Sequence, residues 1–210
     1  MDMSHPLQCR CGTLKGFVDS PQAALRVVCY CRDCQAFAHF LNRVGDVLDD
    51  RGGSDIVQTL PKYLNFTQGV DRLAIMRLKP KGLLRWYASC CNTPIGNTLD
   101  TPKASFVGLV HSCLRDPNLG DPAQALHRSF GPVVGAVNTK GAKGEPKPKA
   151  TAQGAMVFRI VKQLAKARFN GDWKRTPLFK AGSWAPVVAP KVLSPEEYSR
   201  VMAAVAAATG

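Results

Sequence analysis

Short apolar runs broken by Pro, Gly and Asp dominate the first half of the chain. Residues 13–18, 25–31, 63–66, 73–78, 83–87 and 105–111 are rich in β-branched or large apolar side chains and are each closed by turn-forming residues, the pattern of short strands in a mainly antiparallel β-domain. Between them, Phe37, Phe40, Leu41, Val44 and Leu48 recur at helical spacing, so 35–48 is predicted to form one helix. The fold class expected is mainly β with a helical extension at the C-terminal end.

That extension follows a change of pattern near Asn138. Residues 139–150 are Gly, Pro and Lys with almost nothing to bury, a linker composition. Beyond them Met156, Val157, Ile160, Val161, Leu164 and Ala165 recur at helical spacing, with Arg159, Lys162 and Lys166 on the rest of the surface, which predicts an amphipathic basic helix; Gly171 is placed to end it. Ser194, Pro195, Glu196 and Glu197 offer an N-cap, a first-turn proline and a capping-box glutamate before an Ala-rich run to Thr209. The organisation expected is a β-domain over 1–138, a linker over 139–150 and a mainly helical extension over 151–210.

Charge sharpens this division. The chain carries a formal net charge of +13, and residues 139–191 hold 12 Lys and Arg against 2 Asp and Glu. Such a block attracts nucleic-acid phosphates or an anionic membrane surface, and Phe169, Trp173, Phe179 and Trp184 are interleaved with the charges as in single-strand binders. A packed helix pair with a solvated basic face accounts for the same residues. No apolar run approaches the roughly 20 residues of a membrane helix, and the beginning of the sequence has neither a basic nor an apolar signal region, so a cytoplasmic protein with reduced thiols is expected.

The cysteines carry the chemistry. Seven of the eight fall in three groups: Cys9 and Cys11 before Gly12, then Cys29, Cys31 and Cys34, then Cys90 and Cys91. In a strand, side chains at i and i+2 share a face, so each C-x-C can offer two thiolates to one ion. Zinc takes such thiolates tetrahedrally, four in a structural site and three in a catalytic one. Adjacent residues of a strand face opposite ways, so Cys90 and Cys91 can share an ion only if the chain turns there, and Asn92 and Pro94 favour a turn. A four-thiolate site and a three-ligand or metal-free remnant both stay open. Cys113, alone after an apolar run, reads as a buried small hydrophobe.

These three groups resemble the glutathione-dependent formaldehyde-activating enzymes and their relatives around centromere protein V. That family has an early C-x-C-G, then C-x-C-x-x-C, then an aromatic-C-x-x-C-G-[ST]-P. Residues 9–12 and 29–34 match the first two elements. The third is half present, with Cys91 where the second cysteine belongs, Ala88 where the first belongs and Cys90 as an extra thiol. The resemblance spans roughly residues 5–112. It implies an Mss4-like fold, a structural zinc on Cys9, Cys11 and the late pair, and a catalytic zinc on Cys29, Cys31 and Cys34, hence one or two zinc ions.

Three thiolates leave zinc formally at −1, a weak Lewis acid that suits capture of a substrate thiol rather than activation of water. This accords with what the resemblance implies: a carbon–sulfur lyase joining or separating a small thiol such as glutathione and an aldehyde such as formaldehyde. Asp33 and His39 are the nearest candidates for proton transfer. The competing expectation is a non-catalytic binding module in which both metals are structural and the basic segment 139–191 meets nucleic acid or a membrane surface.

Overall fold

The computed structural model describes residues 4–115, 120–151 and 153–208. The described residues are mainly β, with two sheets and several helices. Strands β1 (Ser4–Gln8), β2 (Lys15–Asp19) and β5 (Leu64–Gln68) form a small antiparallel sheet in the order β1-β2-β5. The large sheet runs β10-β3-β4-β9-β8-β7-β6-β11, from β3 (Leu25–Cys29), β4 (Ser54–Thr59), β6 (Leu73–Arg77), β7 (Leu84–Ala88), β8 (Thr93–Thr98), β9 (Val107–Val110), β10 (Val133–Val137) and β11 (Lys191–Val192). Its six central strands are antiparallel; the two outer ones, β10 and β11, pair in parallel with β3 and β6.

All six strands expected from the apolar runs are present, with their ends displaced by at most two residues. Among the remaining strands, β8 was hidden by composition. β8 reads Thr-Pro-Ile-Gly-Asn-Thr, a turn-like sequence, yet every residue in it is buried. Its Gly96 passes so close to β9 that a Cβ would stand 2.7 Å from the Gly108 carbonyl, so here glycine marks close backbone approach rather than a loop.

The sheets enclose the main core, where Leu7, Val18 and Leu64 join Val57, Trp86 and Leu109 together with Leu126 and Phe130 of helix α3 (Pro122–Phe130). The other face of the large sheet is covered by helix α1 (Arg32–Phe40), whose Phe37 packs with Met76 and with Val201 and Val205 of helix α5 (Pro195–Ala207). The single helix expected over 35–48 is two, α1 and α2 (Val44–Val47), because Asn42 adopts a left-handed φ of 53° between them. Asn pays little for that conformation, and a periodic apolar pattern runs on regardless of it.

Residues 139–208 are woven into this body. Helix α4 (Gln153–Phe169) lies against β10, and Lys62 joins Asp172 in a 2.6 Å ion pair. Phe179 meets Trp86 edge-on in the main core. The capping box before α5 forms as its sequence signals, with Ser194 accepting from the Glu197 amide and Glu197 from the Ser194 amide; Thr209 lies outside the described residues. Among the described residues no helix is long and apolar enough to cross a membrane.

Candidate metal centres

The three cysteine groups of the sequence become two clusters. Cys9, Cys11, Cys90 and Cys91 have sulfur atoms all within 4.8 Å of one another, as do Cys29, Cys31 and Cys34. Four thiolates around an ion at about 2.3 Å would stand about 3.8 Å apart. The first cluster has Cys9–Cys11 at 3.5 Å, Cys9–Cys90 at 3.7 Å, Cys11–Cys90 at 3.4 Å and Cys90–Cys91 at 3.9 Å; in the second, Cys29–Cys34 is 3.9 Å. These spacings fit a metal and are far from the roughly 2 Å of a disulfide. Each group is thus placed to hold a metal ion.

The four-thiol cluster is built from two turns. Cys9 and Cys11 follow β1, where the Leu14 amide donates to Cys9 Sγ at 3.3 Å. Cys90 and Cys91 lie in the turn from β7 to β8, where the Cys91 amide reaches the Ala88 carbonyl and Asn92 takes a φ of 54°. This turn lets the two adjacent cysteines face one centre. Ala88, at the position of the missing family cysteine, is fully buried in the main core beside Cys9 and Cys91.

Neighbouring polar groups are aimed at the sulfurs. Thr93 accepts the Arg10 amide at 2.9 Å, leaving its own proton to donate to Cys91 Sγ at 3.1 Å. Thr13 stands 3.2 Å from Cys11 Sγ, and its hydroxyl and backbone bonds bring that thiol down to about 6. Arg43, between α1 and α2, donates through Nε and Nη2 to the Cys91 carbonyl at 3.2 and 2.5 Å, fixing the turn from behind. None of these partners was singled out in the sequence; a Thr two residues beyond each of Cys11 and Cys91 was the available signal.

The three-thiol cluster forms where β3 passes into α1. Cys31 caps the helix, its sulfur accepting from the Cys34 amide at 3.3 Å, so the thiols sit at the positive end of the helix dipole. Hydrogen bonds from Cys31 and Cys34 pull the Cys29 thiol down to about 2, while the bond to Cys29 holds Cys31 up at about 11 and the bonds to Cys29 and Cys31 raise Cys34 well above its ordinary value. Asn138 adds a donor, Nδ2 to Cys29 Sγ at 3.4 Å. Thiolate is the form that ligates, so loading the group with a metal releases the protons its thiols still hold.

The segment expected as a linker is the strap of this cluster. The Tyr30 amide bonds to the Val137 carbonyl, Gln35 Nε2 bridges the Tyr30 and Gly141 carbonyls at 3.0 and 2.9 Å, and the Lys143 amide bonds to Arg51 O. A Cβ on Gly141 would meet the Tyr30 carbonyl at 2.2 Å. A Gly/Lys sequence serves here because it lets backbone lie on backbone, which composition alone reads as slack.

Asp33 and His39 join neither cluster. Asp33 lies in the first turn of α1, its side chain 60% exposed and 3.6 Å from the buried Arg85 guanidinium. His39 lies in the last turn, where burial and then the charge of Lys143 lower its pKa. Cys113 is buried and alone, its thiol donating to the Ile95 carbonyl at 3.4 Å and pushed up by burial.

The chain belongs to DUF6151, a family of unknown function, whose pattern matches residues 1–189. A comparison with curated proteins finds no match.

Proposed function

We propose that this member of DUF6151 is a zinc-dependent carbon–sulfur lyase similar to the glutathione-dependent formaldehyde-activating enzymes, with an Mss4-like β-domain, acting on a thiol–aldehyde adduct in a reducing compartment such as the cytoplasm. The observation that carries this is the difference in ligand number. One cluster offers four thiols, whereas the other offers three, and among the described residues no further Cys, His, Asp or Glu joins it. Four protein ligands close a zinc site; three leave a place for substrate. The absence of a fourth ligand among the described residues also weighs against the competing module in which both metals are purely structural.

Cys29, Cys31 and Cys34 would hold the catalytic ion, and Cys9, Cys11, Cys90 and Cys91 the structural one. Bound zinc would supply a seat in which an incoming thiol exists as thiolate. Asn138 Nδ2 and the Cys34 amide hold the sulfurs of Cys29 and Cys31 in place and temper their charge. In adduct formation the substrate sulfur attacks the aldehyde carbon, forming the C–S bond while the carbonyl oxygen gains a proton; cleavage returns that proton and releases thiol and aldehyde. Asp33, exposed in the same first turn as Cys34, is the carboxylate we assign to that transfer in preference to His39, five residues beyond Cys34 at the other end of α1.

Metal content and lyase activity test this together, using glutathione and formaldehyde with the full chain. Wild type should carry two zinc equivalents, and Cys34→Ser one, with loss of activity and a retained fold. Unchanged zinc in Cys34→Ser, or no turnover by doubly loaded wild type, overturns the proposal.

A further inference from the structure

Eight large apolar side chains are exposed among the described residues, and four of them, Val157, Phe158, Val161 and Phe169, lie on α4. The concentration is not a failure of the helix to pack. Met156 and Ala167 are buried, Ile160 is half-buried, and Gln163 Nε2 donates to the Ala23 carbonyl at 3.3 Å. At about 100° per residue this anchored face lies opposite the line Phe158, Val161, Ala165 and Phe169. Phe158 is 70% exposed and Phe169 88%. The helix therefore has two apolar faces, one used by the fold and one left over.

The charges beside the second face are all of one sign. Arg159, Lys162 and Lys166 follow one border and Arg168 the other, and residues 153–169 contain no Asp or Glu. The strap before the helix adds Lys140, Lys143, Lys147 and Lys149 against Glu145. We propose that α4 docks lengthwise on an anionic lipid surface, with Phe158, Val161 and Phe169 entering the boundary between headgroups and acyl chains and the flanking cations meeting lipid phosphates. This is the pairing of an apolar stripe with a basic rim that interfacial helices use. A second copy of the chain would bring the same cations together with no carboxylate on the helix to offset them. Nucleic acid would answer the charge but leave the aliphatic line uncovered, since Val161 and Ala165 offer no ring for a base to stack on. The contact is peripheral, because the helix is too short and too charged to span a bilayer.

Sedimentation of the full chain with phosphatidylcholine–phosphatidylserine vesicles and with pure phosphatidylcholine vesicles, at low and high salt, tests the docking. Binding should require the anionic lipid and fall with salt. Lys162→Glu/Lys166→Glu should weaken it by about 5-fold or more per position. Phe158→Ser/Phe169→Ser should weaken it by about 10-fold or more, from the loss of inserted apolar area, with an unchanged circular dichroism spectrum because both rings are exposed. Equal binding to neutral vesicles, no binding at low salt, or binding indifferent to the Phe substitutions would overturn the proposal. So would the same Phe substitutions abolishing a dimer in light scattering, or tighter binding to an oligonucleotide or an acidic peptide than to the anionic vesicles. Lyase activity and zinc content do not enter these measurements, so the two proposals fail separately.

Discussion

The two cysteine clusters use the same side chain and differ in what surrounds it. The four-thiol cluster joins segments 79 residues apart, between the C-x-C after β1 and the turn from β7 to β8, and its members Cys9 and Cys91 belong to or pack against the main core. The three-thiol cluster comes from six consecutive residues at a strand-to-helix junction; it sits in a second, smaller apolar cluster with Ile56, Val110 and Met156, and its longer-range hydrogen-bond partners are Asn138 on Cys29 and Gln35 tied to the strap. The first is placed to fasten the fold. On the function proposed above, the second would keep a ligand position free. Ligand number and sequence separation thus point the same way, since closing a long loop around a metal stabilises a chain more than closing a short one.

Substituting the long-range cluster should therefore have the largest effect. Cys9→Ser or Cys91→Ser is expected to lower unfolding free energy by about 3–5 kcal/mol, measured by denaturant titration, against about 1 kcal/mol or less for Cys34→Ser. Similar losses at both clusters would erase the distinction. Cys90→Ser should cost less than Cys91→Ser, since Cys90 is exposed and lacks the Thr93 hydroxyl held by Cys91.

The position of Ala88 allows a gain-of-site test. Its side chain is buried in the same core cluster as Cys9, so Ala88→Cys added to Cys90→Ser should restore zinc retention during dialysis against a chelator and recover about 2 kcal/mol of the stability lost. No recovery would mean that the 90–91 turn, rather than the missing cysteine, defines this centre.

At the three-thiol cluster, Asn138→Ala should weaken zinc affinity or slow turnover by about 10-fold while leaving the melting temperature within a few degrees, because it removes a bond to a proposed ligand rather than the ligand itself. Competition with a chromophoric chelator reads the affinity. A melting loss as large as that of Cys91→Ser would make the strap structural instead.

The smallest effect concerns the attachment of the C-terminal segment to the body. Hydrogen bonding to Lys62, and further to Arg175, holds the Asp172 carboxyl below its ordinary value of 3.8, against the opposing effect of burial. Its folded value being depressed, the stability it contributes is present above about pH 4 and is lost as the pH falls through the folded value. The two partners are largely buried, and about 1 kcal/mol is expected. Asp172→Asn should lose that stability at neutral pH and flatten this part of the acid transition.

Much was legible along the chain. Six strands, the basic amphipathic helix and the capped last helix follow from periodicity and capping residues, because these signals act between neighbours a few residues apart. The cysteine groups were legible for the same reason, since C-x-C and C-x-x-C spacings are local. What the chain did not disclose depends on residues brought together from far apart: the left-handed Asn42 that divides the helix, the strand hidden in Thr93–Thr98, and the strap made of a Gly/Lys stretch. Each looks like turn or linker material until a partner is placed against it.

Local spacing by itself determined which thiols can act together and that they suit a metal more than disulfides. Only the tertiary structure decided how many thiols each centre has, because the turn at Ser89–Asn92 swings Cys90 and Cys91 to one side and carries them to Cys9 and Cys11. Only it decided that α4 keeps one apolar face in solvent, because an amphipathic pattern fixes which residues share a face of a helix and not which of its faces the rest of the chain will cover.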